Sequence, residues 1–218
     1  MSKYYQVILD ILEGTNETYE KLHPEIKDKS TFSISTLSHR NGVSKQIQWK
    51  LSGATYRINY DTPLGKAMFQ GRAVHEFVQA RLQGFTKEFR LSWLTETFKL
   101  TGHVDAINFD DRYLIEMKTS KKHKYYANLK KPFVCSKCRL PIFDRVHDIR
   151  EMEYSLKEYV IQTGAYVKVL ELQTGNRFGA SVFLINDSLI EYELTREDIE
   201  KSWIIILSRA RETFEKLN

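Results

Sequence analysis

The chain has 218 residues, a formal net charge of +5, 42% hydrophobic and 28% charged residues, which is ordinary for one soluble domain with a real core. Two cysteines exclude a disulfide framework, and the longest apolar run, Trp203 to Leu207, is far short of the roughly 20 residues a membrane helix needs. The basic balance leans weakly towards a polyanionic partner, and the start MSKYYQVILDILEG has no signal-peptide pattern, so an intracellular, cytoplasmic location is the expectation.

In chain order, residues 3–13 suggest a short amphipathic helix, followed by polar surface structure to Ser30, within an N-terminal helical segment over 1–60. At FSISTLSHR (Phe32 to Arg40), Ser33 or Ser35 can cap a helix. In LGKAMFQGRAVHEFVQARL (Leu64 to Leu82), Val74, Phe77 and Val78 recur at helical spacing and Gly84 is a stop signal. His75 lies on this helix with the small residues Gly71 and Ala73 nearby, so a ligand or another backbone can approach it. A lone histidine there also fits a hydrogen-bonded core residue.

Residues 88–100, EFRLSWLTETFKL, alternate apolar and polar and read as one strand feeding a hairpin. The hairpin is TGHVDAINFDDRYLIEMKTS, Thr101 to Ser120, with the turn-prone pair Asp110-Asp111 at its tip. If those two residues form the loop, facing positions sum to 221, which sets Asp105 opposite Glu116 and puts Lys118 on the same face. Like charges so opposed repel, and a hard divalent cation on oxygen ligands offsets that, with the Met117 carbonyl as a further oxygen. Two acids and a lysine on one face thus fit a metal-assisted phosphoryl-transfer site. A solvated hairpin with its charges in water fits the bare pattern as well.

The next stretch, KKHKYYANLKK (Lys121 to Lys131), interleaves Lys121, Lys122 and Lys124 with Tyr125 and Tyr126. Lysines can follow phosphates while the rings stack on bases, which suits single-stranded nucleic acid; a solvated basic loop is the plain alternative. Cys135 and Cys138 form a C-x-x-C with no second cysteine pair. A structural Zn²⁺ completed by His123, His147 or Asp144, free thiols, a local disulfide or a site shared between subunits all remain open. Residues 153–173 read as a broadly apolar helix on which Gln162 and Tyr166, at i and i+4, share a face. Two strands follow, Arg177 to Asp187 and Leu189 to Thr195. A last helix then starts at Thr195, where Asp198 completes a capping box, and carries the stripe Ile199, Trp203, Leu207, Ala210 and Phe214.

Taken together, GRAVHEFVQ, TGHVDAI, YLIEMKTSK and QTGAY, with the weaker FSISTLSHR, resemble the PD-(D/E)XK nuclease superfamily. The nearest likeness is to its RecB-like branch, which includes the CRISPR-associated fourth Cas protein and archaeal viral nucleases. The resemblance spans roughly 31–195 and implies an α/β, restriction-endonuclease-like αβββαβ core, a mixed sheet flanked by helices, as one domain with an insertion over 121–152. It further implies a Mg²⁺- or Mn²⁺-dependent DNA nuclease. His75, Asp105 and Glu116 would hold the ion, Lys118 would act on the attacking water, and Gln162 and Tyr166 would orient substrate or Lys118. Iron–sulfur members of the branch carry four cysteines, which argues against such a cluster here. The rival expectation is a non-catalytic nucleic-acid-binding subunit of a larger DNA-processing assembly; a homo-oligomer stays open in either case.

Overall fold

The computed structural model describes residues 28–52, 63–119, 154–185 and 189–218. The expected helix over 3–13, the basic segment with Lys121, Lys122, Lys124, Tyr125 and Tyr126, and the Cys135/Cys138 pair all lie outside the described residues.

A strand, β1 (Thr31–Ser33), leads into α1 (Ile34–Ser38) and α2 (Gly42–Ser52). Then come α3 (Pro63–Gln79), β2 (Thr86–Leu94), β3 (Lys99–Asn108), β4 (Tyr113–Thr119), α4 (Tyr154–Thr174), β5 (Gly179–Ile185), β6 (Leu189–Glu193) and α5 (Arg196–Leu217). From α3 to β5 this is the expected αβββαβ order, and the six strands form one mixed sheet. β4 and β5 run parallel and are joined through α4, while β3–β4 and β5–β6 are antiparallel. No described helix is long and apolar enough to cross a membrane.

Local chemistry accounts for most element boundaries. The Ser33 hydroxyl accepts from the Thr36 amide at 3.5 Å and starts α1, as its sequence suggests. Thr195 and Asp198 form the reciprocal capping box that opens α5. The stripe of α5 faces the core through Ile199, Ile206 and Ala210, with Trp203, Leu207 and Phe214 partly buried beside it. Gly84, just after α3, has φ +74°, a conformation that glycine adopts without a Cβ penalty.

Three expectations are corrected. Residues 88–100 are two strands, because Thr95 Oγ1 accepts from the Phe98 amide at 3.0 Å and donates to the Phe98 carbonyl at 2.8 Å, closing a turn that ends β2. Phe77 points away from the core, is 60% exposed and is covered by the Arg81 guanidinium 3.6 Å from its ring centre. The segment 1–60 is not helical throughout, since β1 pairs in parallel with β3.

The core lies between the sheet and the pair α4/α5, around Phe32, Leu100, Val104, Ile107, Leu114, Val160, Ile161 and Val182. Close approach of the two helices rests on Gly164: a Cβ there would meet Ser202 Oγ at 2.5 Å and the Ile199 Cα at 3.2 Å. Ser202 is fixed by hydrogen bonds to the Val160 and Asp198 carbonyls at 3.2 and 2.6 Å, so it yields poorly. Replacing a helical glycine by alanine gains about 1 kcal/mol in propensity, whereas overpacking costs about 1–3 kcal/mol. Because backbone is among the atoms met, the second effect wins. Gly164→Ala should lower the free energy of denaturant unfolding by about 1 kcal/mol, and a variant as stable as wild type would show that α4 and α5 can part at this point.

Candidate active site

The hairpin β3–β4 has the expected numbering, with Ala106 facing Ile115, Ile107 facing Leu114 and Asn108 facing Tyr113. Its loop is Phe109 to Arg112, with Arg112 at φ 53°. The Asp105–Glu116 pair, expected to oppose directly, is not part of the ladder, which ends at Ala106–Ile115. Along that same edge β1 pairs only with Lys99 to Thr101, so residues 102–105 of β3 face no registered strand there. On the other edge, β2 pairs with Val104 and Ala106 but skips Asp105, because the residue facing it, Glu88, sits at φ 49°. Asp105 is therefore left out of both ladders.

Asp105 Oδ2 accepts from the Met117 amide at 2.6 Å, so Met117 meets the site through its N–H in addition to the carbonyl expected as a ligand. Asp105 Oδ1 lies 3.6 Å from His75 Nδ1, an ion-pair separation longer than a hydrogen bond. His75 comes from α3, whose Gly71 is apposed to the Thr119 side chain at the end of β4.

Glu116 forms a second group. It is 1% exposed, and its Oε1 accepts from Lys118 Nζ at 2.5 Å and from Gln162 Nε2 at 2.6 Å. Gln162 also donates to the Tyr166 hydroxyl at 3.1 Å, which confirms that the two share a face of α4. Tyr166 is fully buried against Gly102, where a Cβ would stand 2.3 Å from the ring; the glycine is what lets α4 press its tyrosine onto β3. Lys118 lies 5.5 Å from the Tyr159 ring centre, a cation–π contact that the sequence reading missed.

Electrostatics separates the two acids. Burial works against the charged form of Asp105, yet His75, Lys118 and the Met117 amide outweigh it and hold the carboxyl below its ordinary value. For Glu116, burial and the neighbouring Asp105 charge prevail over Lys118 and push it up to about 7. Burial opposes the cations too, but Asp105 raises His75, and Glu116 with Asp105 raises Lys118.

As they stand, no three His, Cys, Asp or Glu side chains among the described residues converge closely enough to hold an ion. The donor set nevertheless has the right chemistry for a hard divalent cation: carboxylate oxygens, a backbone carbonyl and an imidazole nitrogen. Glu116 Oε2 is moreover buried without a hydrogen-bond partner among the described residues, a costly state that a cation would relieve.

No protein-family model and no curated protein matches the sequence. Among solved structures, the protein SSO0001 is similar with a TM-score of 0.56 and 16% identity over 97% of this chain and 87% of that one. A provisionally described exonuclease from Eubacterium rectale is similar with a TM-score of 0.56 and 10% identity over 88% of this chain and 84% of that one. At such identities the likeness concerns the fold: the chain has the restriction-endonuclease-like architecture that its motifs imply.

The raised Glu116 gives a signed pH dependence. A carboxyl whose folded pKa lies above its unfolded value contributes stability fully present below about 4.5 and lost as pH rises through about 7. Metal-free protein should therefore lose stability between pH 5 and 8, by up to about 3 kcal/mol from this group. Glu116→Gln, which cannot titrate, should show a shallower fall over that window in urea unfolding. Parallel profiles for the two proteins would mean that Glu116 ionises normally.

Proposed function

We propose that the chain is a metal-dependent deoxyribonuclease of the RecB-like PD-(D/E)XK type, hydrolysing phosphodiester bonds with water as the nucleophile. The observation that carries this reading is the placement of His75 against Asp105 and of Lys118 against Glu116 on the adjacent strands β3 and β4, within an αβββαβ core, with one Glu116 oxygen buried and unpartnered among the described residues. A module that only binds a phosphate backbone gains nothing from two buried acids facing it.

His75, Asp105, Glu116 and the Met117 carbonyl would hold Mg²⁺ or Mn²⁺. Such an ion supplies charge neutralisation at the scissile phosphate and lowers the pKa of a nearby water. Lys118, held cationic by Glu116, stabilises the negative charge that develops as the water attacks. Gln162 ties the Glu116 carboxylate to α4 and is itself oriented by its second bond to the Tyr166 hydroxyl on the same helix, so that the lysine's partner does not swing. Lys121, Lys122 and Lys124 would guide DNA by counterion release, and Tyr125 and Tyr126 would stack on unpaired bases; this part rests on the sequence. The name of the Eubacterium rectale protein favours attack from a DNA end. For Cys135 and Cys138 the proposed role is a structural Zn²⁺ or thiol pair that orders the insertion.

A second reading, a nucleic-acid-binding subunit without catalysis, is favoured by the separation of the site into a His75–Asp105 pair and a Glu116–Lys118 pair, with no three donors gathered among the described residues. End-labelled and circular DNA, each with and without Mn²⁺, distinguish the two. Under the nuclease reading Asp105→Ala and Glu116→Ala should each cut on the order of a hundredfold more slowly or worse. DNA binding without metal should persist or tighten in both, since each removes a negative charge. Cleavage at the wild-type rate by Asp105→Ala would show the assignment to be wrong, and wild-type protein that binds DNA but leaves it intact would establish the binding reading.

A further inference from the structure

The Asp105 backbone is registered with neither neighbouring strand, and such a backbone needs another partner. The partner is Gln79, at the end of α3 and 6% exposed. Its Nε2 donates to the Asp105 carbonyl at 2.8 Å and to Glu88 Oε1 at 2.8 Å. A primary amide nitrogen has two N–H groups, so both are used. Glu88 is the residue facing Asp105 across β2, and its φ of 49° is strained for a side chain bearing a Cβ. Gln79 thus bridges the two residues at which the β2–β3 ladder fails.

The spacing on α3 adds to this. His75 and Gln79 are four residues apart, so they share a face of the helix. One turn of α3 therefore meets Asp105 twice, with an imidazole 3.6 Å from its carboxylate and an amide at its carbonyl. The Met117 amide fixes the other carboxylate oxygen from β4.

We propose that Gln79 is a positioning residue for the reaction: by holding the Asp105 carbonyl and the strained Glu88 together it keeps the ladder open and the Asp105 carboxylate aimed into the gap. This rests on the nuclease reading for its catalytic consequence, but the positioning itself is visible without any metal or substrate. Without the Gln79 amide, the Asp105 carbonyl turns to find a donor along β2 or β4, and the carboxylate turns with it.

The test is Gln79→Met, which keeps length and shape and removes both donors, with Glu88→Ala as the second variant because Glu88 is exposed and its loss is readily accommodated. Two readouts are taken: hydrogen exchange of the Met117 amide in metal-free protein, and kcat and KM for DNA cleavage with Mn²⁺. Gln79→Met should speed exchange of the Met117 amide and lower kcat on the order of ten- to hundredfold with KM nearly unchanged, as a misaimed group does. Glu88→Ala leaves Gln79 one acceptor and should move both readouts the same way, by roughly threefold. A purely structural role would lower the unfolding midpoint with kcat and Met117 exchange unchanged below it, and that result overturns the proposal. If Gln79→Met does not fold, Glu88→Ala decides, and wild-type values for both readouts overturn it. Wild-type protein without nuclease activity, together with faster Met117 exchange in Gln79→Met, would sink the nuclease reading and leave the positioning intact.

Discussion

The interruption of β3 at Asp105 is the constraint on which the site depends. A strand normally spends its backbone on its neighbours, and its side chains then stand up or down from the sheet. Here β1 and β4 share one edge of β3 without meeting, and β2 on the other edge skips one residue. A carboxylate in that opening lies between the two faces of the sheet, where α3 from one side and β4 from the strand plane can both reach it. Glu116, by contrast, belongs to a regular ladder with β5, opposite Val182, and is reached by Gln162 of α4. The two acids thus come from different kinds of backbone and have different surroundings: His75, Lys118 and the Met117 amide hold Asp105 low against its burial, whereas burial and the Asp105 charge push Glu116 up to about 7.

Much of this architecture is legible in the sequence because its signals are local and periodic. The αβββαβ order follows from alternation, helical spacing and capping residues, and the hairpin numbering follows from the turn-prone residues at its tip. The proximity of Gln162 and Tyr166 is a matter of helical spacing alone. What escaped is of another kind. The break at Thr95 to Phe98 depends on one threonine hydroxyl satisfying two backbone groups, which alternation does not record. Phe77 fits the apolar spacing of α3 and yet faces outward, since periodicity tells which residues share a face and not which face is covered. The ladder gap is the least legible feature. It arises from Glu88 in a left-handed conformation that nothing in TKEFRL announces, and from a glutamine 26 residues before the Asp105 it serves. The one available hint was that Gln79 follows His75 by four residues.

The resemblance to the PD-(D/E)XK superfamily and the structure meet at the level of the fold, and the physical reading of the site adds what a motif does not hold. A motif names Asp105, Glu116 and Lys118 as a set, whereas the geometry divides them. His75 and Asp105 form one ion pair, Lys118 and Glu116 another, and one Glu116 oxygen finds no partner among the described residues. Such a division is costly at rest: a buried carboxylate with an unsatisfied oxygen carries a desolvation penalty of about 1–3 kcal/mol or more. The same cost falls when that carboxyl gains a proton or a cation, in line with the raised Glu116.

The charges bear on which partner fits. Near neutral pH, Lys118 is cationic, His75 is more readily protonated than a free imidazole, Asp105 is ionised, and Glu116 is close to half protonated. Lys118 and His75 thus face an ionised Asp105 and a Glu116 that is only partly charged, a cluster in which the two signs nearly offset each other. Under the proposed metal-dependent reading, an ion held by His75 and Glu116 would compete with protons at both groups, so its affinity would grow with pH.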